Sequence, residues 1–176
     1  MKIEERQNTF FVFYSPKILL MKIEVGQAAP DFTLYDSEKK EVKLTDLKGH
    51  NVLLLFFPLA FTSTCTTELC SIRDNITWYR NADAKVLGIS VDSLQTLARF
   101  KEDQQLNFTL LSDFNKEAST TYGSLYEQFG YNMKGVSKRS AFVIDKEGVV
   151  RYAEVLENAA KVPDFEAIKL ILSDLN

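Results

Sequence analysis

Two cysteines, five positions apart, are the residues of this chain whose type and spacing could support redox chemistry. Cys65 and Cys70 lie in the segment FFPLAFTSTCTTELC, which covers residues 56–70 and begins in a strongly apolar run. A cysteine thiolate is the nucleophilic form of the side chain. Two cysteines in 176 residues are too few for a disulfide-stapled secreted scaffold. They are therefore either inert core thiols or a reactive pair.

Cys65 stands where the apolar run, predicted to be a buried strand, passes into a helix. The unpaired backbone N–H groups and the positive end of a helix favour a thiolate over a thiol. Thr62, Ser63 and Thr64 crowd the same turn. We expect one of them to cap the helix and another to donate a hydroxyl hydrogen bond toward the sulfur or its substrate. The position predicts that Cys65 is a nucleophile.

Glu68 follows Cys65 by about one helical turn, and its negative charge would disfavour a nearby thiolate. A cation is therefore expected in the same site. Arg139 is the best candidate in the sequence, and Lys138 is a weaker one because it lacks a planar fork for bidentate contacts. Two alternatives stay open: Glu68 as a mere helix-N-terminal acid and Arg139 as a surface charge at a strand end.

The spacing of the two cysteines sets a condition on any disulfide between them. In a continuous helix, five positions correspond to a Cα–Cα distance of about 8.7 Å. A disulfide requires a distance below roughly 7 Å. Joining Cys65 to Cys70 would therefore require at least the first turn of the helix to unwind. The alternative for Cys70 is a small residue that flanks the core stripe.

The elements that must position these residues follow an α/β pattern from Gly26 onward. Short apolar runs predict buried strands, at residues 52–57, 86–90 and 141–144. Apolar residues at helical spacing predict the helices, with stripes over residues 69–79, 94–100 and 165–175. Asp164 is expected to cap the last helix. Residues 145–148 are expected to turn the chain into a hairpin between the strand at 141–144 and residues 149–155.

Length, composition and charge restrict the function. A chain of 176 residues fits one compact domain, and 21 basic against 24 acidic side chains argue against a nucleic-acid partner. One histidine and two cysteines without zinc-type spacing predict no metal, and we expect no cofactor. The apolar runs are too short to span a bilayer, and Glu4 and Glu5 do not fit the basic start of a signal peptide. We expect a cytoplasmic protein with no membrane partner.

Residues 1–20 differ in composition from the rest and predict an N-terminal extension of unknown role. The string MKIE occurs at Met1 and again at Met21. Translation could begin at Met21, or the extension could be a strand or arm that packs on the domain or on a second subunit. Residues 21–176 form the predicted domain.

Four separated motifs resemble the peroxiredoxin family. Pro58, Thr62 and Cys65 reproduce its Pro-x-x-x-Thr-x-x-Cys pattern. The other matches are GQAAPDFTL at residues 26–34, GISVD at 88–92 and RSAFVID at 139–145. The Cys-x-x-x-x-Cys spacing is similar to the bacterioferritin-comigratory, or Q-type, subgroup. The string Pro-Leu-Ala-Phe-Thr is also close to the one-cysteine alkyl hydroperoxide reductase E group, which lacks a thiol at the position of Cys70.

The resemblance implies a thioredoxin-like fold with a central mixed β-sheet flanked by helices, and a role for each residue of the site. Cys65 would be the peroxidatic cysteine, and Pro58 would shield it from water. Thr62 and Arg139 would hold and polarise the hydroperoxide substrate. Glu68 would fix Arg139 in place.

The resemblance also implies a catalytic cycle. Cys70 would condense with the sulfenic acid formed on Cys65, and thioredoxin or glutaredoxin would reduce the resulting disulfide. A one-cysteine peroxidase and a peroxide-sensing thiol protein are the alternatives, and the chain could be a monomer or a homodimer. A copper carrier on the same fold would need His50, which is expected to be a solvated loop residue.

Overall fold

The structure, a computed structural model, describes residues 22–176, so the extension predicted at residues 1–20 lies outside the described residues. The strands are β1 (Thr33–Asp36), β2 (Glu41–Lys43), β3 (Asn51–Phe56), β4 (Ala84–Ser90), β5 (Thr109–Ser112), β6 (Arg139–Ile144) and β7 (Val150–Leu156). The helices are α1 (Ser63–Asp74), α2 (Ile76–Asn81), α3 (Leu94–Asp103), α4 (Glu117–Thr121) and α5 (Phe165–Asp174), with 3₁₀ turns at Leu44–Leu47 and Gly130–Asn132. None of the helices within residues 22–176 is long and apolar enough to cross a membrane.

The seven strands form one mixed sheet in the order β2-β1-β5-β4-β3-β6-β7. β3 pairs in parallel with β4 and antiparallel with β6. The predicted central mixed sheet is therefore confirmed. Phe56 at the end of β3 is opposite Ser140 near the start of β6. This register brings Arg139 beside the point where the chain leaves β3 toward Cys65.

The sheet separates two apolar cores, because successive side chains of a strand point to opposite faces. Leu53 and Leu55 of β3 pack with apolar residues of α1, α2, α3 and α5. Leu54 and Phe56 pack on the other face with residues of α4 and of the Leu44–Leu47 turn. All six residues of β3 are buried, which explains the uninterrupted apolar run in the sequence.

The predicted hairpin and the predicted cap of the last helix are confirmed. β6 and β7 form the expected antiparallel hairpin, and the Asp164 carboxylate accepts a hydrogen bond from the Ala167 N–H at the start of α5. The stripe at residues 69–79 was expected to lie on one helix, but α1 ends at Asp74. The Asn75 side chain donates to the Ser71 carbonyl and competes with the helical backbone there.

Candidate active site

Cys65 is the third residue of α1, directly after the loop that leaves β3. Its side chain is only 1% exposed. It lines a pocket of about 220 Å³ together with Pro58, Thr62, Ser63, Thr64, Phe129, Arg139, Ala159 and Ala160. The sulfur is thus shielded from bulk water while one side faces a small cavity.

The first turn of α1 directs backbone donors toward this pocket. Thr62 is one of the three residues of which one was expected to cap the helix. It occupies the N-cap position, but its hydroxyl makes no capping hydrogen bond. The hydroxyl instead donates to the Leu59 carbonyl at 2.9 Å. The expectation of a hydroxyl cap is therefore wrong for Thr62. The N–H groups of Ser63, Thr64 and Cys65 have no partner within the helix, because the first turn lacks preceding carbonyls.

Arg139 connects the sulfur to two other groups. Its Nη2 donates to the Sγ of Cys65 at 3.3 Å. Its Nη1 forms an ion pair with the Oε2 of Glu68. Nε and Nη2 both donate to the carbonyl of Ala159, at 3.1 and 2.9 Å. The structure thus brings together Cys65, Glu68 and Arg139, as the charge argument predicted. The backbone carbonyl of Ala159 is a further acceptor for Arg139.

Lys138, the weaker candidate for the cation, points elsewhere. Its Nζ lies 2.6 Å from the carboxylate of Glu157 and 5.7 Å from the ring centroid of Tyr126. Arg139 is 1% exposed, so the interpretation of that residue as a surface charge is wrong.

Burial and the ion pair act in opposite directions on Glu68 and on Arg139. Burial raises the pKa of Glu68 to about 7, although the charge of Arg139 and its hydrogen bond act in the opposite direction. Burial also acts to lower the pKa of Arg139, but the charges of Glu68 and Cys65 outweigh it and the pKa of Arg139 is raised. The guanidinium therefore stays charged beside the sulfur. The Oε1 of Glu68 is buried without a hydrogen-bond partner in the described residues.

Cys70 lies farther along the same helix, as predicted. Both cysteines are free thiols. Cys70 is half-buried against the core beneath α1, and its Sγ lies 3.7 Å from the Oε1 of Gln104. The unbroken helix between Cys65 and Cys70 keeps the two Cα atoms at the separation of about 8.7 Å expected for a regular helix. His50 pairs with Asp83, at 2.6 Å, rather than with a cysteine.

Three lining residues of the pocket were missed by sequence reasoning. Phe129 comes from the irregular segment between α4 and β6, and Ala159 and Ala160 come from the loop after β7. Alanine side chains carry no chemical signal, and a backbone carbonyl has no sequence signature. Among these three residues, only Phe129, an aromatic residue in an irregular segment, could have indicated a part of the pocket wall.

A cysteine sulfur that receives an arginine hydrogen bond at the start of a helix, beside a mixed sheet, is the arrangement of an enzyme with a nucleophilic thiol. The AhpC/TSA family model matches residues 25–153. The chain belongs to this family, and its relatives include peroxiredoxins named Bcp, bacterioferritin comigratory protein and peroxiredoxin Q. It is therefore a thiol peroxidase.

The similarity extends over most of the chain. Peroxiredoxin Bcp of Escherichia coli K12 is 39% identical over 132 residues, which cover 74% of this chain and 84% of that protein. A Coxiella burnetii relative with the bcp name is 44% identical over 132 residues, 74% of this chain and 87% of its own. The crystal structure of peroxidoxin BcpB from Mycobacterium tuberculosis matches with a TM-score of 0.76 at 27% identity, covering 88% of this chain and 99% of that one. The predicted thioredoxin-like fold is confirmed.

Proposed function

We propose that Cys65 is the peroxidatic cysteine of this thiol peroxidase. The observation that carries the proposal is the 3.3 Å contact between the Nη2 of Arg139 and the Sγ of Cys65, at the wall of the pocket. The Cys65 thiolate attacks one peroxide oxygen, an S–O bond forms and the O–O bond breaks. The sulfur loses two electrons and becomes a sulfenic acid. The other oxygen leaves as hydroxide or alkoxide and takes up a proton to give water or an alcohol.

The groups around the sulfur stabilise the charge that moves during this step. Arg139 and the backbone N–H of Cys65 donate toward the two peroxide oxygens as negative charge shifts from one to the other. The hydroxyl of Thr62 binds the peroxide after it turns away from the Leu59 carbonyl. Pro58 covers the sulfur, and Glu68 holds the guanidinium in place.

Cys70 resolves the sulfenic acid in this proposal. Its thiolate attacks the sulfur of Cys65, the S–S bond forms, and the hydroxyl group leaves as water after protonation. A thioredoxin or glutaredoxin dithiol then reduces the disulfide. The presence of Cys70 on α1, half-buried and free, favours this cycle over a one-cysteine mechanism. The cytoplasmic location and the choice between monomer and homodimer stay predictions.

Peroxide consumption by three proteins tests the proposal: the wild type, Cys65→Ser and Cys70→Ser. Each is assayed with a thioredoxin system and with a small thiol. We expect Cys65→Ser to be inactive in both assays. We expect Cys70→Ser to reduce one equivalent of peroxide but to lose cycling with thioredoxin. Ser71→Ala, a change at an exposed neighbour on α1, serves as the matched control and should cycle normally.

The outcomes separate the alternatives. Activity in Cys65→Ser would overturn the assignment of the peroxidatic residue. Full thioredoxin cycling in Cys70→Ser would remove Cys70 from the mechanism and leave a one-cysteine peroxidase. A wild type that is oxidised once but does not turn over with any dithiol would favour the peroxide-sensing alternative.

A further inference from the structure

Two loops contribute to the lining of the pocket, and a hydrogen bond of Tyr126 joins them. Tyr126 lies between α4 and β6, in the segment that also supplies Phe129 to the pocket wall. Its side chain is buried, and its hydroxyl donates to the Glu157 carbonyl at 3.0 Å and less closely to the Leu156 carbonyl at 3.4 Å. The two carbonyls mark the end of β7, where the second loop begins.

This second loop holds the guanidinium of Arg139. The acceptor of Nε and Nη2 is the carbonyl of Ala159, two residues after Glu157. The direction of that carbonyl depends on the path of the chain between residues 157 and 159. A hydroxyl that fixes the start of this path therefore also restrains the acceptor that orients Arg139.

Other contacts hold Tyr126 itself in place. Its backbone N–H donates to the Val136 carbonyl at 2.9 Å. Its ring centroid lies 5.2 Å from that of Phe129, and the Nζ of Lys138 lies above the ring while bonding the Glu157 carboxylate. Burial raises the pKa of Tyr126, so the hydroxyl keeps its proton and remains a donor at neutral pH. These contacts of the backbone and the ring hold the Tyr126 side chain in the position from which its hydroxyl bonds the loop.

We propose that Tyr126 is a positioning residue of the peroxidase reaction, which acts through the loop at residues 157–159 to align Arg139 with the Cys65 sulfur. Tyr126 forms no hydrogen bond with the sulfur or the guanidinium; its hydroxyl bonds the Glu157 carbonyl, and Arg139 donates to the carbonyl of Ala159 in the same loop. The inference rests on the proposed role of Arg139 in the reaction.

The test is a double-mutant cycle of Tyr126→Phe and Arg139→Lys in the full chain. The measured quantities are the second-order rate constant of the reduced protein with hydrogen peroxide and the rate constant of Cys65 alkylation by iodoacetamide in a Cys70→Ser background. We expect Tyr126→Phe to lower the peroxide rate constant roughly fivefold, the order expected for loss of one neutral hydrogen bond. The rate constant of alkylation should change less, because the reaction of Cys65 with iodoacetamide does not require a peroxide to be oriented by Arg139.

The same Tyr126→Phe change should have little further effect when lysine replaces Arg139, because the group that it orients is gone. Tyr35→Phe is the matched control, since the hydroxyl of Tyr35 bonds Glu41 at an exposed position on β1. It should leave both rate constants unchanged. Circular dichroism and thermal unfolding establish that each variant is folded.

The possible results are distinct. An unchanged peroxide rate in Tyr126→Phe, or equal losses of the peroxide and alkylation rates, would overturn the role of Tyr126. Independent, multiplicative effects of the two substitutions would do the same. If Arg139→Lys alone leaves the peroxide rate at the wild-type level, the proposed role of Arg139 fails, and the inference fails with it.

Discussion

Arg139 is a nearly inaccessible cation at the first position of a strand. Burying a charge is unfavourable unless charged and polar partners surround it. The guanidinium finds three acceptors in different directions: the Glu68 carboxylate, the Cys65 sulfur and the Ala159 carbonyl. Its planar fork of five donors can serve all three at once, which a lysine ammonium cannot do in the same geometry. These contacts offset the cost of burying the charge, and they fix the orientation of the guanidinium toward the sulfur.

Phe129 gives the pocket an apolar wall, which leads to a prediction about substrate choice. The ring lines the pocket together with Pro58, Ala159 and Ala160. We expect Phe129→Ala to lower the rate constant for cumene hydroperoxide about tenfold, because apolar contact with the substrate is lost. The rate with hydrogen peroxide should change by less than about twofold. Stopped-flow rates with both peroxides measure the ratio.

A matched control for this substitution is Phe114→Ala, which removes another phenylalanine ring, 62% exposed and outside the pocket lining. It should preserve the ratio of the two rate constants. Equal losses for both peroxides in Phe129→Ala would show that the ring supports the site in general and does not select the substrate.

The residues of the site were predictable where they carry charge or a thiol. Cys65 was placed by the strand-to-helix junction, and Arg139 by the need for a cation near Glu68. The sequence contained no comparable signal for the carbonyl of Ala159, because any residue offers the same group. One of Thr62, Ser63 and Thr64 was expected to cap α1, but the hydroxyl of Thr62, which occupies the N-cap position, bonds the loop behind it. Whether this hydroxyl bonds the first turn of the helix or the preceding loop depends on backbone angles, which the spacing of residues in the sequence does not reveal.

Helix α1 carries both cysteines, and its regularity keeps them apart. The turn between them includes Leu69, which is fully buried beneath the helix. The N–H of Thr66 donates to the Thr62 carbonyl at 2.9 Å, so the helical ladder begins at the reactive end. Disulfide formation must break several of these bonds. The proposed cycle thus alternates between a folded and a locally unfolded form of this element.

Hydrogen exchange measures this change. We expect peptides from residues 62–72 to exchange at least about tenfold faster in the peroxide-treated wild type than in the reduced protein, because the first turns of α1 have lost their hydrogen bonds. A peptide from α5 should keep its protection. Peroxide-treated Cys70→Ser is the control, since it cannot form the disulfide. Unchanged protection of α1 in a protein whose Cys65–Cys70 disulfide is verified by mass would contradict the local unfolding.

The order of the elements was largely predictable, and their limits were less so. Continuous apolar runs identified β3, β4 and β6 because both faces of these central strands are covered. The stripe of residues 69–79 gave the correct buried face. It did not reveal the break after Asp74, because α1 and α2 pack their apolar residues on the same core. Periodicity reports the buried face and is insensitive to a single non-helical residue.

At the scale of the whole molecule, Glu68 links the site to stability. The carboxyl group is buried between α1 and the start of β6, and its Oε1 has no hydrogen-bond partner in the described residues. Burial raises the pKa of Glu68 from 4.5 to about 7. The folded protein therefore binds this proton more tightly than the unfolded chain does between these two pH values. The resulting stabilisation is fully present below pH 4.5 and is lost as the pH rises through about 7.

This linkage predicts a difference between the wild type and Glu68→Gln, which has no carboxyl proton to lose. Between pH 4.5 and 8.5, the wild-type free energy of unfolding should fall by roughly 3 kcal/mol relative to that of the variant, given the shift of the Glu68 pKa to about 7. Denaturant unfolding of both proteins, each kept reduced, at several pH values measures this difference. All other titrating groups are common to the two proteins, so their contributions cancel to a first approximation. Parallel pH profiles would mean that the ion pair with Arg139 keeps Glu68 ionised throughout, and that burial does not control this carboxyl group.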